Sequence, residues 1–82
     1  MFDERRIEGE LDCIGSDIVY CGRQFDYSQN IRKVNSIIKQ LRFRQERTSD
    51  CAELVRLRNL ECRALMYLNT MNKYKADYEY QR

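Results

Sequence analysis

The chain has 82 residues, with 15 Lys and Arg against 13 Asp and Glu, and it lacks His, Pro and Trp. That length holds one domain, and a domain this small buries only about 60% of its unfolded surface, so a partner or a second copy is a natural supplement. The missing His removes the commonest general base and metal ligand near neutral pH, and a net charge of +2 is small for a dedicated nucleic-acid binder.

From Asp3 to Cys21 the apolar residues Ile7, Leu11, Ile14, Ile18 and Cys21 recur at gaps of 4, 3, 4 and 3. This is the stripe of an amphipathic helix over about residues 3–21. Gly9 and Gly15 each cost about 1 kcal/mol against Ala inside a helix, so they mark close approach to a neighbour or a break. Gly22 suits the left-handed position that ends a helix. In the first connector, Phe25 and Tyr27 are expected to plug the open end of a bundle, and Ser28 to cap the next helix with its hydroxyl.

The second helix, over about 29–46, carries Ile31, Val34, Ile37, Ile38 and Leu41 on one face and Arg32, Lys33, Lys39 and Arg42 on the other. The run from Arg44 to Ser49 has no apolar residue and closes it. Ser49 or Asp50 then caps a third helix, over about 50–78, with Asp50 and Glu53 favourable near its positive end. Between Ser49 and Tyr78 lie thirty residues without Gly or Pro, in which Leu57, Leu60, Ala64, Leu68, Met71, Tyr74 and Tyr78 recur at gaps of 3, 4, 4, 3, 3 and 4. A helix of that length reaches roughly 45 Å at 1.5 Å per residue. The tail from Lys75 to Arg82 alternates charge and tyrosine and is expected to fray.

These elements predict an all-α fold, a single helical domain over 1–82 in which three amphipathic helices pack up-down-up around a long C-terminal helix. The long helix outlasts the other two, and its overhang is expected to leave apolar surface uncovered, so the bundle is expected to be dimeric or to bind another protein there. Stripe geometry nominates Leu68, Met71, Tyr74 and Tyr78 as partner-binding residues, with Arg63 and Lys75 as rim charges. Tyrosines suit such a role because they offer a large apolar face with a polar tip. On this view Met71→Asp and Tyr74→Ala weaken association without loss of helix.

An enzyme is not expected. Glu8 and Asp12 form an acidic pair on an exposed helix face with no pocket to raise a pKa, and no Gly-rich phosphate loop, nucleophile elbow or His-based metal site can be drawn. No cofactor is expected. The four cysteines Cys13, Cys21, Cys51 and Cys62 lack the short spacing of a zinc or redox site and are read as reduced thiols, most of them packing as small apolar groups. The longest apolar run, Ala64 to Leu68, is far short of the roughly 20 residues of a spanning helix. No membrane insertion is expected, and the charged start from Met1 to Arg6 is no signal peptide, which predicts a cytoplasmic protein.

The small net charge hides an asymmetry. Residues 1–30 carry seven acids against three Arg, whereas residues 31–63 carry nine basic residues against four acids. One reading is a basic face of Arg42, Arg44, Arg47, Arg56 and Arg58 that tracks phosphates. The other is a basic middle paired with the acidic first helix. If Glu8, Asp12 or Asp17 neutralise the arginines, protein interaction gains; if the arginines share one exposed face, nucleic acid gains.

The opening Met1-Phe2-Asp3-Glu4-Arg5-Arg6-Ile7-Glu8-Gly9-Glu10-Leu11, the stretch Tyr27-Ser28-Gln29-Asn30-Ile31-Arg32-Lys33-Val34 and the length together resemble the rapid-lysis III proteins of T-even phages. The resemblance spans essentially the whole chain and rests on no single motif. It implies a cytoplasmic lysis-inhibition factor, or antiholin, that acts in the host cytoplasm with a periplasmic antiholin. It would bind the cytoplasmic N-terminal segment of the membrane holin and so delay the clustering that opens the inner membrane. The alternative is a small basic helical regulator of nucleic acid or of a host regulatory protein. Homodimerisation through the long helix, as a scaffold, is a third option.

Overall fold

The computed structural model describes residues 2–21 and 26–80. Three helices succeed one another: α1 over Glu4–Cys21, α2 over Tyr27–Arg47 and α3 over Cys51–Tyr80. The fold is all-α, as the spacing predicts, and α1 runs unbroken through both glycines. The roles expected of Gly22, Phe25 and the Tyr78 side chain fall outside the described residues.

Each helix starts on an aspartate. The Asp3 carboxylate accepts from the Arg6 backbone N–H at 3.2 Å, and Asp26 accepts from the Gln29 N–H at 3.0 Å. Ser28 is therefore not the cap of α2. Capping two residues before Ser28 places Tyr27 in the first turn, where it is 6% exposed, so it closes the bundle end from inside a helix and not from a loop. At the other end, Thr48 Oγ1 accepts from the Asp50 N–H at 3.2 Å while the Asp50 carboxylate accepts from the Ala52 N–H at 3.0 Å. The tight turn over 48–50 thus joins two helix ends while pairing backbone groups that the helices leave open.

Cross-helix contacts fix the packing order. Between α1 and α3, Glu4 meets Arg56, Asp12 meets Arg63 and Gly15 meets Tyr67, a near-constant offset that makes the two helices parallel. Between α2 and α3, Arg44 meets Glu53, Arg42 meets Glu61 and Tyr27 meets Tyr74. There the numbers rise on one helix as they fall on the other, so the pair is antiparallel. This is the up-down-up order, drawn out to 49 × 19 × 18 Å with a radius of gyration of 13.9 Å, against ~12 Å for a compact domain of this length.

The core is one apolar seam: Ile7, Leu11, Ile14 and Ile18 from α1, Tyr27, Val34, Ile37, Ile38 and Leu41 from α2, and Leu57, Leu60, Ala64 and Met71 from α3. Met71 corrects an expectation. It is 0% exposed, because the first turn of α2 and the last turn of α1 both reach its level. The overhang of α3 begins only after Tyr74, which meets the Tyr27 ring edge-on with centroids 6.5 Å apart. The helical tail also continues to Tyr80, past the point where the alternating charges and tyrosines predict fraying.

Gly15 explains itself through a close approach. A Cβ there would lie 2.6 Å from the Tyr67 hydroxyl oxygen, whereas one at Gly9 would meet nothing within 4 Å. Gly9→Ala is therefore expected to stabilise by about 0.5–1 kcal/mol through helix propensity alone, and Gly15→Ala to lose that gain because the Tyr67 ring must move; paired thermal melts decide it. Met71→Ala is expected to cost about 2–4 kcal/mol in urea unfolding, enough to threaten so small a domain. Met66→Ala, at an exposed position on the same helix, should stay within about 0.5 kcal/mol.

Candidate partner-binding surfaces

Four of the nine basic residues in the middle of the chain meet a carboxylate within the fold. Arg42 reaches Glu61 at 3.1 Å, Arg44 reaches Glu53 at 2.6 Å and Arg56 reaches Glu4 at 3.2 Å, and Arg63 pairs with Asp12. Two of these pairs use acids of α1 and two use acids of α3 itself. The five arginines that nucleic acid would need therefore do not share an exposed face free of acids. Arg47 instead lies over the Phe43 ring at 4.2 Å.

The Arg63 guanidinium is the centre of the α1–α3 clasp. It donates to Asp12 and, at 3.1 Å, to the Tyr67 hydroxyl, and those bonds hold its pKa above the ordinary value. Glu61 plays the same part between α2 and α3. The Gln45 side chain donates to it at 2.6 Å, and this bond, more than the neighbouring Arg42, holds the Glu61 carboxyl below its ordinary value despite the opposing effect of burial.

Two surfaces stand out as uncovered among the described residues. One is a shallow, mainly apolar groove where Phe2 lies beside α2, lined by Phe2, Lys39, Gln40 and Phe43. Lys39, Phe43 and Arg47 stand one turn apart on α2, and Phe43 is 58% exposed. Arg44 sits over the Phe2 ring at 5.9 Å. The groove is thus an aromatic floor with a cationic rim.

The other is the outer face of α3, turned away from α1 and α2. From Ala52 to Ala76 it runs through Val55, Asn59, Cys62, Met66, Asn69 and Lys73 at gaps of 3, 4, 3, 4, 3, 4 and 3, and every one of these positions is exposed. Val55 and Met66 are 58% and 66% exposed. This face, opposite the buried one, is thus partly apolar, with Asn59, Asn69 and Lys73 set among Val55, Cys62 and Met66.

The residues nominated from the sequence do not form one surface. Leu68 is half-buried against the core and Met71 is wholly inside it. Tyr74 is exposed beside Tyr27, Lys75 is half-buried at the start of the overhang, and Arg63 is engaged with α1. Phe2 and Phe43 were missed because neither belongs to a core stripe; an aromatic residue set between basic residues on the polar face of α2 was the available signal. The cysteines also differ from expectation. Cys13, Cys51 and Cys62 are free thiols but exposed ones, so they do not pack the core. Among the described residues no helix is long and apolar enough to cross a membrane.

Comparison with protein-family models, curated proteins and solved structures finds no match.

The Glu61 bridge predicts the acid limb of stability. A carboxylate whose folded pKa is depressed stabilises the fold above its unfolded pKa and loses that contribution as the pH falls through the folded one. Stability should therefore decline as the pH drops below the ordinary 4.5 of this carboxyl. Glu61→Gln is expected to flatten that decline when urea midpoints are compared between about pH 7 and pH 3.

Proposed function

We propose that this chain is a non-catalytic regulatory protein that works by holding a short amphipathic segment of another protein. Taken with its resemblance to the rapid-lysis III proteins, the segment is the cytoplasmic N-terminal part of a phage holin, and binding it delays lysis of the host cell. The observation that carries the reading is the Phe2–Phe43 groove, with Lys39 in its lining and Arg47 over the Phe43 ring. An apolar floor takes the apolar face of a helix, and the cationic rim favours acidic residues along its border.

The nucleic-acid alternative is weakened by the ion pairs. A phosphate-tracking face needs several free cations in a row, whereas Arg42, Arg44 and Arg56 each already meet a carboxylate. On this reading the protein works in the host cytoplasm, where that holin segment lies.

Calorimetric titration with a synthetic holin N-terminal peptide tests it, with duplex DNA titrated over the same salt series. Peptide binding that survives high salt is expected, and Phe43→Ser should weaken it by about tenfold or more, as truncation of an aromatic anchor does, with helix content unchanged. DNA binding that falls steeply with salt, in the absence of peptide binding, would overturn the proposal. So would a Phe43→Ser variant that binds the peptide as the parent does.

A further inference from the structure

Of the nine basic residues between 31 and 63, five form no ion pair with any described carboxylate, and four of those five, Arg32, Lys33, Lys39 and Arg47, belong to α2. They are not scattered over it. From Gln29 the outermost row of α2 runs through Arg32, Ser36, Lys39, Phe43 and Arg47 at gaps of 3, 4, 3, 4 and 4, and each of these residues is exposed. Lys33 flanks the row. Glu46, the one acid of α2, lines the opposite flank, in a shallow cleft with Arg42 and with Arg58 of α3. The row itself thus carries three cations, one aromatic ring and no acid.

The spacing of those cations selects the partner. Arg32, Lys39 and Arg47 stand 7 and 8 residues apart, which is roughly 10 and 12 Å along the axis at 1.5 Å per residue. Side chains two turns apart on a second helix laid alongside repeat at the same interval, so carboxylates at those gaps would each meet one cation. Duplex nucleic acid carries one charge per ~1.7 Å of its axis, and cations this sparse would leave most of them unmet. Between Lys39 and Arg47 the Phe43 ring, with the Arg47 guanidinium over it at 4.2 Å, offers a partner helix an apolar anchor where the row joins the groove. A second copy does not fit. Glu8 and Asp17, the acids of α1 without an ion pair among the described residues, stand 9 apart and do not repeat the interval.

We propose that the outer row of α2 is the docking face for an acidic amphipathic helix of another protein. That helix lies along α2 with carboxylates at gaps of 7 and 8 opposite Arg32, Lys39 and Arg47, and with an apolar side chain on Phe43. The proposal rests on the reading of the Phe2–Phe43 groove as a partner site. It extends that site by roughly 16 Å, the rise from Phe43 to Arg32, onto a cation that the groove does not include. Charges placed this way fix the register and choice of partner more than they add affinity.

Fluorescence anisotropy with a synthetic helical peptide of about 20 residues tests it. The matched peptide carries leucines on one face and, beside them, glutamates at gaps of 7 and 8; a shifted peptide of the same composition has its glutamates on the opposite face. The matched peptide is expected to bind about tenfold or more tighter than the shifted one. Arg32→Glu, at an exposed position, should weaken it by about fivefold or more with helix content unchanged, because like charges would then face each other. One of the two peptides that carry Lys in place of a terminal glutamate should recover that loss. Matched and shifted peptides that bind equally or not at all, or an Arg32→Glu variant that binds as the parent does, would overturn the docking face. So would duplex DNA, or vesicles containing phosphatidylglycerol, that bind the parent more tightly than the matched peptide and lose that binding in Arg32→Glu. Holin peptide whose binding depends on Phe43 and not on Arg32 would overturn this extension and leave the groove standing. Matched peptide that binds through Arg32, where holin peptide does not bind, would uphold the docking face and remove the holin.

Discussion

The need to cover one long helix governs this fold. A helix of thirty residues is held in water mainly by the packing of its apolar face, since propensity alone is marginal. α1 and α2, at 18 and 21 residues, are each too short to run its full length, so they are laid beside it in fixed registers. The registers are written in charge as well as in packing. Glu4, Asp12, Glu53 and Glu61 each meet one arginine across a helix interface, and a slip by one turn would leave those partners facing the wrong residues.

The same long helix divides the molecule into an inner and an outer half. Its inner face is spent on the core, down to Met71, and its outer face repeats the periodicity without anything to bury it. Surface pairs are individually worth little, so the four arginine–carboxylate bridges act less as a source of stability than as markers of the helix register. The large apolar or aromatic residues left exposed among those described are Val19, Phe43, Val55, Met66 and Tyr74.

Most of the architecture was legible in the sequence because helical periodicity is a strong signal and the helices carry no Pro. Ile7, Leu11, Val34, Leu41 and Leu57 fall on predicted stripes and are all buried. The errors arose where tertiary context decided between local options. Asp26 and Ser28 are both competent caps, and the choice turned on Tyr27 packing into the bundle end, a long-range event. The extent of the overhang depended on where α2 begins, so that same choice moved Met71 from surface to core. The outer seam of α3 was present in the sequence as a second period of 3 and 4, but a search for one stripe per helix passes over it.

The central claim is that a partner segment lies in the Phe2–Phe43 groove. It is tested most directly by mapping amide chemical-shift changes as holin N-terminal peptide is added to isotope-labelled protein. Changes clustered at Phe2, Lys39, Gln40, Phe43 and Arg47 are expected, with the tail of α3 beyond Tyr74 unmoved. Changes confined to that tail, or none at saturating peptide, would contradict it.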